Sequence, residues 1–199
     1  MIIPDDMLPH VAKVWTGEYQ IPFEKEDCTV LDIGANVGSF AFWALNRWKK
    51  SRISCYEPLP ENAALLAQNL ERWNGRWLVY EAAVSRETRK DVPLYLGLHN
   101  SGEGSLFKDT DQKDESVLVT TVDAATLPYH DIVKIDCEGS EMDVVGRLLF
   151  KPVVYMIEYH GAARRRALED LLSPDYHLIG HSLNTIHTGV VKYLRKDQL

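Results

Sequence analysis

Three carboxylates lie close together in the sequence KIDCEGSE, residues 134–141. They are Asp136, Glu138 and Glu141, which fall within six positions beside a glycine. Carboxylates packed this closely are costly unless they bind a cation, share protons or face water. A helix start enriched in acids would explain Glu141 and Glu138, but it would not explain Asp136 inside a predicted strand. The pattern therefore favours a functional site over a purely structural one.

Residues 30–40, VLDIGANVGSF, predict a binding site for a nucleotide-type ligand. Val30, Leu31 and Ile33 indicate a buried strand, the glycines allow a tight turn, and the helix that should follow directs its first amides toward that turn. The spacing is G-x-x-x-G rather than the G-x-G-x-x-G of dinucleotide sites, and this looser turn is typical of enzymes that use S-adenosylmethionine (SAM). An ordinary strand-to-helix turn that needs glycine for positive φ is the structural alternative. The predicted cofactor-binding residues of this segment are Asp32, Gly34, Ala35, Asn36, Gly38 and Ser39.

A further acidic residue, Glu57, is placed to bind a ribose. It follows the second predicted strand and lies 25 residues after Asp32 and 19 after Gly38, which suits an acid that binds ribose hydroxyls in doubly wound folds. A carboxylate only accepts hydrogen bonds, so it can accept from both hydroxyls. The alternative is an exposed glutamate that caps the next helix. Glu57, Pro58 and Ala83 complete the predicted cofactor-binding set, together with Asp136.

Alternating apolar runs and helical patterns predict an α/β fold, a doubly wound Rossmann-like sheet that is mainly parallel and has helices on both faces. The predicted strands are 30–33, 52–56, 77–84, 132–136, 153–158, 176–180 and 190–195, and the predicted helices are 39–50, 60–74, 141–150 and 162–172. Asp32, Glu57, Ala83, Asp136 and Glu158 then fall at or just past the carboxyl ends of strands, where open α/β sheets bind ligands. Five strands thus lead to one crevice.

Residues 85–119 interrupt this alternation. A glycine-serine loop at 100–105 separates two strand-like runs, 92–98 and 116–122. We interpret residues 99–105 as a loop that closes over a cofactor or acceptor, with a plain hairpin connection as the alternative.

The composition is that of one globular enzyme domain over residues 1–199. Hydrophobic residues make up 45% and charged residues 26%. The sequence contains no run of 18 apolar residues and no basic region at its start, so we expect no membrane partner, no signal peptide and a cytoplasmic location. Cys28, Cys55 and Cys137 lack C-x-x-C spacing, which predicts reduced thiols. The net charge of −7 argues against a nucleic-acid partner.

Four segments together resemble the FkbM family of SAM-dependent methyltransferases: VLDIGANVGSF, CYEPLPENAALL, DIVKIDCEGSE and IEYH. The resemblance covers roughly residues 15–160, and GEY at 17–19 is similar to the family's opening segment, so residues 1–27 form an N-terminal segment in this interpretation. It implies a seven-stranded sheet whose last strand is antiparallel, and methyl transfer to a hydroxyl oxygen of a sugar or natural product. Two departures are the short chain and Cys137, where a branched apolar residue is commoner. Fold transfers more safely than substrate.

The architecture that the resemblance implies brings Asp136, Glu158 and His160 together as the reaction centre. An aliphatic hydroxyl is about as weakly acidic as water, with a pKa of roughly 15.7, so its deprotonation needs a general base or a metal. A neutral imidazole with a pKa near 6.5 would be the better base, whereas Asp136, Glu138 and Glu158 would be the better ligands for Mg²⁺. Both routes stay open, and a strand-end hydrogen-bonding role is the alternative for His160.

Two other classes of protein share parts of this pattern. A nicotinamide-dependent oxidoreductase would share the plan of Asp32, turn and Glu57, but the sequence lacks the central glycine and a Tyr-x-x-x-Lys pair. A catalytically inert cofactor-binding or scaffold protein on the same fold would keep the motifs but transfer nothing. The identity of the acceptor and the oligomeric state are not determined by the sequence.

Overall fold

A seven-stranded sheet forms the centre of the protein. The computed structural model describes residues 1–97, 104–108, 112–185 and 187–198. In the sheet the strands run in the order β3, β2, β1, β7, β8, β10, β9. Their bounds are β1 Thr29–Ile33, β2 Arg52–Tyr56, β3 Trp77–Tyr80, β7 Ile132–Ile135, β8 Val154–His160, β9 Tyr176–Leu183 and β10 Thr188–Arg195.

The strand directions confirm the predicted class of fold. Strands β3, β2, β1, β7 and β8 pair in parallel, and β10 runs antiparallel to both β8 and β9. The last strand is therefore antiparallel, as the family resemblance implies, and it lies between two others rather than at the edge. The carboxyl ends of β1, β2 and β7 meet at one edge of the sheet, where ligands bind in such folds.

Both faces of the sheet are buried, because successive side chains of each strand pack into two different hydrophobic cores. Val30 packs with Ile132 and Met156 on one face, whereas Leu31 and Ile33 pack on the other face. Successive side chains of a strand point to opposite faces, so continuous apolar runs of this kind are typical of parallel sheets covered by helices on both sides.

Within the described residues, five α-helices accompany the strands. They are α1 Leu8–Lys13, α2 Ser39–Arg47, α3 Pro60–Leu70, α4 Glu141–Arg147 and α5 Ala162–Leu172. Helix α5 has the predicted bounds, and the other three predicted helices end earlier than expected. Helix α2 ends because Trp48 adopts an extended backbone, and its buried indole donates a hydrogen bond to the carbonyl of Phe23. None of the helices in the described part of the chain is long and apolar enough to cross a membrane.

The prediction of one strand over 77–84 is wrong. The carbonyl of Tyr80 accepts hydrogen bonds from the amides of Glu57 and Ala82, so the chain turns away from the central sheet at this point. A separate strand β4 then begins at Ala83 and joins a three-stranded sheet with the order β4, β6, β5. The three strands of this sheet are β4 Ala83–Ser85, β5 Arg89–Gly97 and β6 Gln112–Asp123.

The loop predicted over 99–105 lies mostly outside the described residues. Its last two residues are described, and Ser105 forms a two-way backbone pairing with Tyr95 of β5, with N to O distances of 2.8 and 2.9 Å. The segment 104–108 is thus attached to the small sheet.

Candidate active site

The turn after β1 is fixed between the ends of two neighbouring strands. The amides of Gly34 and Ala35 both donate to the carbonyl of Tyr56 at the end of β2, at 3.0 Å. Gly34 has a φ of 73°, and a Cβ on it would lie 1.7 Å from the carbonyl oxygen of Asp136 after β7. Only glycine fits here, because any side chain would overlap the backbone of the neighbouring strand.

The carboxylate of Glu57 is part of this turn as well as of the cavity beside it. One of its oxygens accepts from the amide of Asn36 at 2.8 Å, and the other accepts from the amide of Leu59 at 3.0 Å. Burial raises the pKa of Glu57 to about 7, although both amides favour its ionised form. Glu57 is therefore held rigidly at the carboxyl end of β2.

Two cavities meet at the edge of the sheet. The first, which we call the Glu57 cavity, spans about 620 Å³ together with open solvent at its mouth and has both polar and apolar walls. Its described lining residues include Ile33, Tyr56, Glu57, Pro58, Leu59, Ala83, Val84, Leu94, Gly104 and Leu106. The second, the Glu18 cavity, spans about 670 Å³ together with open solvent at its mouth and is lined by Met7, Lys13, Val14, Glu18, Tyr19, Ala35, Ser39, Phe40, Lys134, Glu158 and Asn184. Gly34, Asn36, Asp136 and Glu138 line both cavities.

The predicted cofactor residues divide between these cavities, with two exceptions, Asp32 and Gly38. Asp32 is fully buried and pairs with Lys134, whose Nζ lies 3.2 Å from its Oδ1. Burial raises the pKa of Asp32, and Lys134 opposes this shift. Asp32 thus helps to position Lys134 beneath the site. Gly38 also supports the turn, because a Cβ on it would lie 2.5 Å from Leu66 of α3.

Lys134 is a central residue that the sequence analysis did not select. Its Nζ donates to the carbonyl of Gly34 at 2.7 Å and lies 3.4 Å from Oδ2 of Asp136. Burial disfavours its charge, but Asp32 and Asp136 outweigh burial and raise the pKa of Lys134. The available signal was its position two residues before Asp136 on one strand, because alternate residues of a strand face the same side.

Asp136 and Glu158 form a carboxyl pair. Burial raises the pKa of Glu158 to about 9, and the charge of Asp136 and a hydrogen bond to it act in the same direction. Burial also disfavours the ionised form of Asp136, but Lys134 and the hydrogen bond from Glu158 keep its pKa below the usual value. At neutral pH Glu158 therefore carries a proton and donates a hydrogen bond to ionised Asp136. Its Oε1 accepts a hydrogen bond from the side-chain amide of Asn184 at 2.9 Å.

His160 lies between two other carboxylates. Its Nε2 is 3.1 Å from Oε2 of Glu138, and its Nδ1 is 3.1 Å from Oε1 of the buried Glu141. Burial would lower the pKa of His160, but hydrogen bonds to Glu138 and Glu141 raise it to about 11. This direction disfavours the neutral imidazole that the prediction of a general base requires, and His160 is not among the described residues that line either cavity.

The structure does not support the predicted Mg²⁺ site at Asp136, Glu138 and Glu158. In the described ranges no group of three or more His, Cys, Asp or Glu side chains is arranged to hold a metal ion. Each predicted ligand has another partner, because Asp136 pairs with Lys134, Glu138 with His160, and Glu158 with Asn184. Two protein cations thus balance the carboxylates of KIDCEGSE.

The segment 104–108 is tied to the turn that carries Glu138. The hydroxyl of Ser105 donates to the carbonyl of Glu138 at 2.6 Å and accepts from the amide of Phe107 at 3.1 Å. Glu138 has a positive φ of 47°, and this contact supports it in that sparsely populated conformation. Gly104 and Leu106 on either side of Ser105 line the Glu57 cavity.

Glu18 and Asn184 also line the site and were missed in the sequence. Glu18 ends a π turn, Val14–Glu18, in which Gly17 has a φ of 108°. Asn184 follows β9, and its amide donates to the carbonyl of Thr188 across the turn into β10. Only the GEY at 17–19 gave a signal, and it came from the family resemblance rather than from spacing.

The chain matches a family of proteins described as the methyltransferase FkbM domain, over residues 32–195. It is 29% identical over 184 residues to the 2-O-methyltransferase NoeI of Sinorhizobium fredii, with 78% of this chain and 75% of NoeI covered. It is 26% identical over 158 residues to the hexuronic acid methyltransferase AglP of Haloferax volcanii, of which it covers 63%, with 75% of this chain matched.

Solved structures show the same fold. The crystal structure of the methyltransferase FkbM from Methylobacillus flagellatus is similar with a TM-score of 0.63 at 19% identity, and the match covers 92% of this chain and 47% of that one. TrmK of M. capricolum, solved with the cofactor product S-adenosylhomocysteine (SAH), is similar with a TM-score of 0.54 at 11% identity and 94% and 68% coverage. At such identities the similarity concerns the fold alone.

Proposed function

The chain belongs to the family of FkbM methyltransferases, and on this premise we propose that it transfers the methyl group of SAM to a hydroxyl oxygen of a small, sugar-like molecule. The observation that carries the proposal is the junction of the two cavities. The Glu57 cavity has the groups of a cofactor site, the Glu18 cavity has polar groups for an acceptor, and Asp136 and Glu138 line both.

The chemical groups that line the Glu57 cavity suit SAM. Each oxygen of Glu57 uses one lone pair for a backbone amide, which leaves acceptor capacity on both for the ribose hydroxyls. The apolar residues of its lining, which include Leu59, Val84 and Leu94, suit a purine ring, and ionised Asp136 at the junction suits the ammonium group of the methionine part. SAM bound in this way would supply the activated methyl group. The name of one relative, a 2-O-methyltransferase, supports oxygen as the acceptor atom.

Glu138 is the proposed proton acceptor. It lines both cavities, and burial raises its pKa above the usual value, which makes it a stronger base than an exposed glutamate. The acceptor hydroxyl would give its proton to a carboxylate oxygen of Glu138 as its oxygen bonds the methyl carbon, the sulfur–carbon bond breaks and SAH leaves. His160 already carries a proton, and it acts as a positioning residue that holds Glu138 against Glu141.

Asp136 and Glu158 orient the acceptor in this proposal. Asp136 is ionised and accepts a hydrogen bond, whereas Glu158 is protonated. Such a pair presents one negative charge rather than two at the junction of the cavities, so it can bind a hydroxyl without the full repulsion of two carboxylates. Alignment of the acceptor oxygen with the methyl carbon is itself a large part of catalysis of this kind.

Binding and transfer can be tested separately. We expect the wild-type protein to bind SAH in calorimetry and to transfer tritiated methyl groups from SAM to a methyl glycoside. Glu138→Gln should bind SAH with a similar Kd but transfer methyl groups about 10²- to 10⁴-fold more slowly, the usual contribution of proton transfer. The matched control is Glu81→Gln, because Glu81 is exposed. No SAH binding by the wild type would contradict the cofactor, and undiminished transfer by Glu138→Gln would contradict the base.

A further inference from the structure

The Glu18 cavity contains a chain of polar groups, of which Glu18 and Asn184 have no role in the methyl transfer proposed above. Asn184 hydrogen-bonds Glu18 and also donates to Oε1 of Glu158 at 2.9 Å. These three residues come from the N-terminal segment, the β9–β10 turn and the end of β8, so they meet only in the folded protein. Together they present carboxyl and amide groups, which can accept from and donate to hydroxyls.

The rest of the cavity provides an apolar surface beside these polar groups. Met7 and Val14 are buried residues of the N-terminal segment that line it. Tyr19 and Phe40 also line it and contact each other edge to face, with ring centroids 5.0 Å apart. Apolar residues and carboxyl and amide groups in one cavity suit a sugar ring, whose C–H face is apolar and whose edge carries hydroxyls.

The charges of the cavity disfavour an anionic ligand. Four acidic side chains line it, and Lys13 and Lys134 are the two basic ones among its described lining residues. Lys134 is already held by Asp32, Asp136 and the carbonyl of Gly34. A carboxylate on the ligand would add a negative charge to a cavity already lined by Glu18, Asp136 and Glu138, and like charges repel in a partly buried site.

We propose that the Glu18 cavity binds the acceptor as a neutral glycosyl unit, that Glu18 and Asn184 hydrogen-bond the hydroxyls next to the one that is methylated, and that the cavity selects against sugars carrying a carboxylate. This inference rests on the proposed function. It also separates this protein from AglP, whose name gives a hexuronic acid as its substrate.

The test compares matched sugars on the SAH-loaded protein by saturation-transfer NMR. The neutral probes are the methyl β-D-glycosides of glucose, galactose and mannose, and the anionic probes are methyl β-D-glucuronide and methyl β-D-galacturonide. We expect at least one neutral glycoside to bind 10-fold or more tightly than either uronide. Binding of no neutral glycoside, or tighter binding of a uronide, would overturn the inference.

Two variants assign the selectivity to residues. Glu18→Gln and Asn184→Ala should each weaken binding of the neutral glycoside about 10-fold. Glu18→Gln should also reduce the ratio of glycoside affinity to uronide affinity, because it removes a negative charge. The control Glu26→Gln changes an exposed residue of the same segment and should change neither.

SAH affinity distinguishes the possible failures. If Glu18→Gln binds the sugar as tightly as the wild type, or loses affinity for SAH and for the sugar by the same factor, Glu18 has no specific role in acceptor binding. Either result would overturn the inference and leave the proposed function intact. Failure of the wild type to bind SAH in calorimetry would overturn the proposed function, and the inference with it. Circular dichroism of each variant checks that the fold is retained.

Discussion

The two cavities differ in how the chain builds them. The Glu57 cavity takes its polar lining from the ends of β2 and β7, next to the turn after β1. The Glu18 cavity adds residues from the N-terminal segment and from the β9–β10 turn, which lie more than 160 residues apart in the sequence. One half of the site is thus fixed by the sheet, and the other half depends on connecting segments.

This difference separates cofactor binding from acceptor choice. Strand ends are held by backbone pairing on both sides, so their geometry can remain the same in proteins with different substrates. Connections tolerate changes in sequence and length far better, and for that reason they commonly carry specificity on a conserved type of scaffold. The following predictions test whether the two cavities are separable.

Gly34→Ala should damage both cavities and have the largest effect. The added Cβ would overlap the carbonyl of Asp136. We therefore expect the free energy of unfolding to fall by about 3–5 kcal/mol and the affinity for SAH to fall by more than about 100-fold. Gly75→Ala is the control, because Gly75 also has a positive φ of 82° but no atom lies within 4 Å of the added Cβ. Gly75→Ala should lower the free energy of unfolding by only about 1–2 kcal/mol. Urea unfolding that gives equal costs for both variants would contradict the packing argument.

His160→Gln should impair the reaction but not cofactor binding. Loss of the imidazolium frees Glu138 and Glu141 from their shared partner, so we expect turnover to fall about 10²-fold and the pH–rate profile to shift, at an unchanged Kd for SAH. The control is His177→Gln, because His177 is exposed on β9. A weakened Kd for SAH with normal turnover would show that His160 serves the Glu57 cavity instead.

Glu57→Gln should have the opposite pattern. The amide keeps an acceptor for one backbone N–H but loses the charge and one acceptor oxygen, so we expect SAH binding to weaken by about 1.5–3 kcal/mol. Turnover at saturating SAM should remain close to that of the wild type. An unchanged Kd for SAH in calorimetry would remove Glu57 from the cofactor site.

Stability should decrease as the pH rises from 7 to 10. The folded pKa of Glu158 is raised to about 9 from an ordinary 4.5, so between these values the folded state holds a proton that the unfolded state releases, and stability falls with pH. His160, raised to about 11 from 6.5, contributes stability fully below 6.5 and loses it as the pH rises through 11. We expect Tm to fall by several degrees, and less steeply between pH 7 and 9 in Glu158→Gln. A Tm that rises over this range would contradict both assignments.

The sequence was informative about the fold because its strongest signals are local. The apolar run before Asp32 and the glycine turn after it define one strand and one close approach, and the bounds of β2 follow from a single run. The split of 77–84 into two strands was not predictable in this way, since it depends on the pairing of β4 with β6 more than 30 residues later.

The chemistry of the site was less predictable than its location. Asp136, Glu138, Glu158 and His160 were selected by position and do lie together. Their protonation depends on partners that the sequence analysis did not select, because Lys134 lies beside Asp136 at the end of β7 and Glu141 approaches His160 from helix α4. A prediction that gives the imidazole its ordinary pKa therefore leaves out the two carboxylates that favour its charged form.

The position of β10 has a consequence for synthesis on the ribosome. β10 lies between β8 and β9, with Val190 opposite Glu158 and Thr188 opposite His160. While a nascent chain has emerged only as far as β9, the edge of β8 that carries these two residues still lacks its hydrogen-bonding neighbour. The strands that hold the Glu57 cavity can pair earlier, since β1, β2 and β7 precede it. Cofactor-binding geometry can thus form during translation before the acceptor side is complete.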